Sequence, residues 1–122
     1  MRVLLAEDDR ALRFLYEIWL RAEGYEVDAV GDGRAALVAI ETRGVPDAAV
    51  LDITMPFVDG LAVCRRLRSL SARVPIVVQT ANDALAADAA AAGADLVLPK
   101  PGSHTDLVWP LASLLGGHSA AA

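Results

Sequence analysis

The sequence has little cysteine and few aromatic residues: Cys64 is its only thiol, and aromatic side chains make up 5% of its 122 residues. A single thiol cannot form an internal disulfide, which is compatible with a reducing cytoplasm. No apolar run approaches the ~18 residues that a membrane span needs. Acidic residues appear by position 7, so the start does not resemble a signal peptide. We therefore expect a cytoplasmic protein without a membrane-spanning segment.

The formal net charge of −5 argues against direct nucleic-acid binding, because phosphate contacts require a basic surface. The nearest candidate is a group of four arginines: Arg65, Arg66, Arg68 and Arg73. They fall in and just after one predicted helix. Four scattered arginines are more typical of a solvated helix face than of a nucleic-acid interface.

Hydrophobic residues make up 55% of the chain, and short apolar runs alternate with helical patterns. The runs predict strands at residues 2–6, 25–30, 48–51, 74–79 and 95–98. Helices are predicted from Leu12 to near Gly24, from the Gly31-Asp32-Gly33 turn to near Gly44, after Gly60, over 82–92 and over 105–115. This alternation is typical of an α/β protein with a parallel sheet, and right-handed crossovers leave few topologies.

Polar side chains follow four of the predicted strands directly. Glu7 and Asp8 follow the first strand, Asp52 the third, Thr80 the fourth and Lys100 the fifth. Ligand sites in open parallel sheets lie beyond the carboxyl ends of the strands. We therefore expect these five side chains to converge at one edge of the sheet.

The chemistry of that set points to a metal and a phosphoryl group. Clustered carboxylates repel one another and favour a shared cation, and Mg²⁺ prefers carboxylate and phosphate oxygens. An Asp carboxylate such as Asp52 can attack phosphorus to form an acyl phosphate. Lys100 can supply counter-charge, and the Thr80 hydroxyl can bond a phosphoryl oxygen that exists in only one state.

Four segments carry a resemblance to a known family: VLLAEDD (3–9), PDAAVLDITMPFVDG (46–60), PIVVQTA (75–81) and GADLVLPKP (93–101). In this order and spacing the chain resembles a response-regulator receiver domain of bacterial two-component signalling over residues 1–116. The resemblance implies a flavodoxin-like three-layer sandwich with a five-stranded parallel sheet in the order 2-1-3-4-5 and five helices. Residues 117–122 are expected to form a flexible tail or a truncated linker.

The resemblance also implies roles for individual residues. Asp52 is the expected phosphoacceptor, with Lys100 contacting the phosphoryl group and Thr80 as the switch hydroxyl. Mg²⁺ is expected on Asp8, on Glu7 largely through water, on Asp52 and on the backbone carbonyl of Thr54. The same resemblance implies a cis peptide bond between Lys100 and Pro101, and it makes Asp9 a helix-start residue.

The implied function is a switch rather than an enzyme. A sensor histidine kinase or a histidine phosphotransfer protein is the expected phosphodonor, the downstream effector is unknown, and the chain is expected to be a monomer or a weak dimer.

Two alternatives stay open. Val97 stands where the family commonly has an aromatic residue, which leaves room for a receiver-like interaction module that works without phosphate. A phosphatase of the haloacid dehalogenase type also uses a strand-end Asp with Mg²⁺, but it needs a second Asp where this chain has Thr54.

Overall fold

Five parallel strands form the centre of the computed structural model, which describes residues 1–55, 58–100 and 103–116. The strands are hydrogen-bonded in the order β2-β1-β3-β4-β5. This architecture confirms the fold predicted from the sequence. The strands are β1 Arg2–Ala6, β2 Glu26–Val30, β3 Ala48–Asp52, β4 Ile76–Thr80 and β5 Leu96–Pro99.

Five α-helices connect or follow the strands. They are α1 Arg10–Ala22, α2 Gly33–Arg43, α3 Gly60–Leu70, α4 Ala86–Ala91 and α5 His104–Leu114. A short 3₁₀ turn, Asp83–Leu85, precedes α4. Within the described ranges, no helix combines the length and the apolar character that crossing a bilayer would demand.

Side chains cap the start of four helices. Asp9, Asp32 and Asp59 accept hydrogen bonds from the first turns of α1, α2 and α3, and Ser103 forms a capping box with Asp106 in α5. Each cap satisfies a backbone N–H that has no partner inside its helix. The prediction that Asp9 begins a helix is confirmed.

Some predicted boundaries were wrong by a few residues, for local reasons. The predicted helix over 82–92 is divided, because the Asn82 side chain accepts from Ala84 N at 3.0 Å and closes a tight turn first. Val74 lies outside β4, since its N–H donates to Ser71 Oγ at 3.2 Å. Tyr25 lies outside β2, because its N–H donates to the Leu20 carbonyl at the end of α1.

The sheet separates two apolar layers. One layer packs β-strand side chains against α1 and α5, with Tyr16, Leu20, Leu107 and Leu111 fully buried. The opposite layer packs against α2, α3 and α4, and it contains the buried thiol of Cys64. Because both faces are covered, all five residues of β3 are buried.

Arg68 forms hydrogen bonds within the fold and is not part of an exposed basic surface. Its guanidinium donates to the Gly93 carbonyl (2.6 Å from Nη2), to the Val74 carbonyl (2.9 Å) and to Asp95 Oδ2 (3.0 Å). These bonds join the end of α3 to the segments that enter β4 and β5. Arg68 therefore does not belong to a solvated helix face, unlike the prediction for the group of four arginines.

Replacing Arg68 with Ala is expected to lower the free energy of unfolding by about 2–3 kcal/mol, because partly buried carbonyls would lose their charged donor. Urea denaturation followed by circular dichroism measures the change. Arg66 lies on the same helix and is exposed, so Arg66→Ala is the matched control, with a change within about 0.5 kcal/mol. Equal effects of the two substitutions would contradict this role of Arg68.

Candidate functional site

Three carboxylates meet at the carboxyl edge of the sheet. Glu7 and Asp8 follow β1 directly, and Asp52 is the last residue of β3. One carboxylate oxygen from each residue lies within 4.8 Å of the others. Glu7 is 1% exposed and Asp52 3% exposed, whereas Asp8 is exposed to solvent. The predicted convergence of the acids is therefore present in the fold.

Lys100 holds this acidic cluster together. Its Nζ donates to Asp52 Oδ2 at 2.7 Å and to Glu7 Oε2 at 2.8 Å, and it lies 3.8 Å from Asp8 Oδ1. Lys100 is also the only lysine in the sequence. One ammonium group thus partly neutralises three carboxylates, leaving the cluster with excess negative charge.

The protonation of the cluster reflects burial and crowding. Burial, together with the negative charge of Asp52, raises the pKa of Glu7 to about 7, although hydrogen bonds from Lys100 and the Asp9 N–H oppose the rise. Burial also raises the pKa of Asp52 against the effect of Lys100. The pKa of Asp8 is lowered, because its interactions with Asp52, Glu7 and Lys100 outweigh its burial.

The pKa of Lys100 is raised by its surroundings, which favours the charged form of its ammonium group. Burial by itself lowers the pKa of an ammonium group, but the hydrogen bonds to Asp52 and Glu7 outweigh burial and raise the pKa of Lys100. The side chain therefore stays positively charged at neutral pH. A permanent cation beside a buried carboxylate is suited to meeting an incoming anionic group.

One oxygen of the cluster has no protein donor. Glu7 Oε2 accepts from Lys100 and from the Asp9 N–H, but Glu7 Oε1 is buried without a hydrogen-bond partner in the described structure. An unpaired buried carboxylate oxygen calls for a water or an ion. Together with the oxygens of Asp8 and Asp52, it forms an all-oxygen donor set with excess negative charge, which fits Mg²⁺.

The acids open onto a cleft of about 360 Å³ lined by Asp8, Leu12, Asp52, Thr54, Ala81 and Lys100. The Thr54 N–H donates to Asp52 Oδ1 at 3.3 Å, so Thr54 lies beside Asp52. A metal-binding role for its carbonyl stays a prediction. The expected cis bond after Lys100 involves Pro101, which lies outside the described residues.

Thr80 occupies the predicted strand end, but its hydroxyl is engaged elsewhere. Thr80 Oγ1 donates to the Asn82 carbonyl at 3.3 Å and accepts from the Asn82 N–H at 3.0 Å. Its own carbonyl accepts from the Lys100 N–H at 3.1 Å. The structure thus brings Glu7, Asp8, Asp52 and Lys100 together, and it holds the Thr80 hydroxyl within its own loop.

Sequence reasoning overlooked Gln79, a polar residue placed inside an apolar strand. Gln79 is 1% exposed and lies opposite Asp52 in the β3–β4 register. Its side-chain nitrogen has no hydrogen-bond partner in the described structure. A glutamine interrupts the apolar run IVVQT next to the predicted strand end, and this interruption could have identified the position from the sequence.

Comparison with known proteins agrees with this geometry. The family model for the response regulator receiver domain matches residues 3–111. The response regulator MprA of Mycobacterium leprae is 44% identical over 117 residues, which cover 94% of this chain and 51% of that protein. The chain belongs to the response regulator receiver family. It is a signalling rather than a catalytic module, and it spans about half the length of the curated relatives it matches.

Solved structures show the same fold and describe ligands in related receiver domains. The receiver domain of the sensor histidine kinase PA1611 from Pseudomonas aeruginosa is 33% identical, with a TM-score of 0.84 over 94% of this chain and 97% of that one. It is described with a magnesium ion coordinated in the active site cleft. TrrA from Thermotoga maritima is 30% identical, with a TM-score of 0.83 over 93% and 97% of the two chains, and is described in complex with Mg²⁺ and BeF.

Proposed function

We propose that this receiver domain is a Mg²⁺-dependent switch that accepts a phosphoryl group on Asp52 from a sensor histidine kinase or a histidine phosphotransfer protein. The observation that carries the proposal is the position of Asp52. Its carboxylate ends a fully buried strand, lines the open cleft and is bonded at 2.7 Å to Lys100. A nucleophile and a counter-charge are thus held at the same small opening.

The chemical step is a direct transfer between two side chains. An oxygen of the Asp52 carboxylate forms a bond to phosphorus as the bond from phosphorus to the donor's imidazole nitrogen breaks. The bonding electron pair returns to the imidazole, which takes up a proton. Lys100 then pairs with the phosphoryl oxygens, since negative charge has moved from the carboxylate to that group.

Glu7, Asp8, Asp52 and the carbonyl of Thr54 are the proposed metal ligands. The unpaired Oε1 of Glu7 and the excess negative charge of the cluster support this assignment. Bound Mg²⁺ would neutralise charge that develops on the transferring phosphoryl oxygens. The chain's own contribution is to keep three carboxylate oxygens within reach of one ion while Lys100 offsets their repulsion.

Magnesium is expected to stabilise the folded domain, because it binds the assembled cluster and not the separated acids of the unfolded chain. At a free concentration 100-fold above the dissociation constant, the gain in unfolding free energy is about 2.7 kcal/mol. Thermal unfolding with Mg²⁺ or with a chelator measures it. Asp8→Asn should reduce the gain, whereas Asp9→Asn, which keeps a helix cap, should leave it intact; the opposite pattern would contradict the ligand assignment.

The signal is proposed to leave the site through the loop after β4. Thr80 would exchange its bonds to Asn82 for a bond to the phosphoryl group, which shifts the population of loop conformations. Val97 is paired with Val78 in the β4–β5 register and packs on the α2–α4 side of the sheet. A valine fills less space than an aromatic ring, so the rearrangement at β5 and α5 is expected to be small.

Mass spectrometry after incubation with Mg²⁺ and acetyl phosphate tests the proposal. The expected result is a single gain of about 80 Da, the mass of one phosphoryl group, which disappears when a chelator replaces Mg²⁺. No gain under either condition would favour the phosphate-independent interaction module. Multiple turnovers of a generic phosphate ester would instead favour the phosphatase, a class that the presence of Thr54 in place of a second Asp argues against.

Partners beyond the phosphodonor follow from the family and from charge. Membership of the receiver family supports a histidine kinase as the donor and a cytoplasmic location. The net charge of −5 supports an output through protein contacts rather than direct nucleic-acid binding. We propose a monomer or a weak dimer in the resting state, with an unidentified protein effector.

A further inference from the structure

Gln79 is a buried polar side chain that the transfer step does not use. It is 1% exposed, and it lies in register with Asp52 of β3 on one side and Leu98 of β5 on the other. The Ile53 N–H donates to the Gln79 carbonyl at 3.3 Å, so the two strands remain paired just beyond Asp52. Residues paired in adjacent parallel strands, about 4.8 Å apart, point to the same face of the sheet. Gln79 is therefore a side-by-side neighbour of the acceptor.

The side-chain nitrogen of Gln79 has apolar neighbours in the sheet and, among the described residues, no partner in the resting fold. Along this face of the sheet, Val50, Val77, Leu96 and Leu98 belong to the apolar layer beneath α1 and α5. The Gln79 side-chain nitrogen is buried and has no hydrogen-bond partner in the described structure. An unpaired buried donor destabilises the folded state, and an apolar residue of the same length would avoid that cost.

Phosphorylation would create an acceptor next to this donor. In the resting site Asp52 Oδ2 accepts from Lys100 at 2.7 Å, and Asp52 Oδ1 accepts from the Thr54 N–H at 3.3 Å. When the carboxylate becomes an acyl phosphate, its negative charge passes to the phosphoryl oxygens and Lys100 follows that charge. With phosphorus bonded to Asp52 Oδ1, Oδ2 becomes the carbonyl oxygen and loses Lys100 as its donor. A bound Mg²⁺ would take one lone pair of Oδ2, and the unpaired side-chain N–H of Gln79, the register neighbour of Asp52, is available for the other.

We propose that Gln79 is a positioning residue that stabilises the phosphorylated state by donating its side-chain N–H to the Asp52 oxygen that Lys100 releases. This inference rests on the proposed function. The side-chain N–H of Gln79 is unpaired in the resting state and paired in the phosphorylated state. It therefore raises the free energy of the first state and lowers that of the second, and this difference shifts the equilibrium between them.

The composition of the chain makes the bond directly observable. Gln79 is the only glutamine and Asn82 the only asparagine in the sequence, so an ¹⁵N–¹H spectrum contains two side-chain amide pairs. Loss of one pair in Gln79→Met assigns the other to Asn82. On adding Mg²⁺ and beryllium fluoride as a phosphoryl mimic, one Gln79 amide proton is expected to move downfield and to exchange more slowly with solvent. An unchanged Gln79 pair in a protein that has bound the mimic would overturn the proposal.

Thermal unfolding gives an independent measurement. Resting Gln79→Met is expected to melt about 3 °C or more above the wild type, because the unpaired donor is gone. Its gain in melting temperature with Mg²⁺ and beryllium fluoride is expected to be smaller than the wild-type gain by a similar amount. Gln79→Leu serves as a second variant. Leu98→Met, the control on the other side of Gln79, should keep the wild-type gain.

The outcomes separate this inference from the proposed function. If neither beryllium fluoride nor acetyl phosphate modifies the wild-type protein, the proposed function fails and this inference fails with it. If the mimic binds and Gln79→Met gains as much stability as the wild type, the inference alone fails, and Gln79 is an amide whose partner, such as a buried water, is the same in both states.

Discussion

Replacing Asp52 with Asn is expected to abolish the gain of one phosphoryl group after incubation with Mg²⁺ and acetyl phosphate. The amide is a far weaker nucleophile than the carboxylate and cannot form the acyl phosphate, so modification should fall to the background of the mass spectrum. The substitution preserves the size of the side chain. It also removes one of three crowded negative charges, so we expect the variant to fold at least as well as the wild type.

Asp9→Asn is the matched control for this experiment. Asp9 lies two residues from Glu7 and caps α1 through its side chain, which accepts from the Leu12 N–H at 3.0 Å. Asparagine caps a helix about as well as aspartate, so this variant should be modified like the wild type. Equal modification of the Asp52→Asn protein would place the acceptor at another residue. Loss of modification in both variants would show a general effect of lowering the acidic charge.

Replacing Gly60 with Ala is expected to destabilise the domain by about 3 kcal/mol or more. A Cβ atom at Gly60 would lie 2.1 Å from the Asp52 carbonyl oxygen and 2.9 Å from Ile53 Cα. Both are backbone atoms at the end of a buried strand, so neither can move without displacing Asp52. We expect a lower denaturation midpoint in urea and a weaker stabilisation by Mg²⁺ in the same variant.

Gly31→Ala provides the comparison. A Cβ atom at Gly31 would have the guanidinium of Arg13 as its nearest neighbour, at 2.7 Å from Nη1. Arg13 Nη1 donates to the Glu7 carbonyl at 2.9 Å, so moving the guanidinium costs one partly buried hydrogen bond, and the loss of stability should be about 1 kcal/mol. An equal loss of stability in both alanine variants would contradict the claim that residue 60 must be glycine because of its close approach to the Asp52 backbone.

Much of the fold and of the acidic cluster could be predicted from the sequence, because both depend on local patterns. The apolar runs identify the strands, and a parallel sheet gathers the residues that follow them at one edge. Asp59 and Gly60, which end the 46–60 segment of the family resemblance, have a physical role in the structure: Asp59 caps α3, and Gly60 leaves room for the backbone of Asp52.

Other features required three-dimensional contacts. The hydroxyl of Thr80 was placed at the site by its position at a strand end, but its hydrogen bonds to Asn82 depend on the course of the following loop. Arg68 was grouped with solvated arginines, since its bonds to Gly93 and Val74 join segments distant in sequence. The importance of Gln79 depends on which residue lies opposite it, and strand register is not visible in one strand alone.

The ion pair between Asp52 and Lys100 has a consequence for synthesis of the chain. Its two partners are 48 residues apart and are brought together across β4 and β5. A nascent chain on the ribosome that has not yet released Lys100 already carries the Asp52 carboxylate but lacks its cation and the last strand of the sheet. Under the proposed function, the site would therefore become able to receive a phosphoryl group late in synthesis, once β5 and Lys100 have joined the sheet.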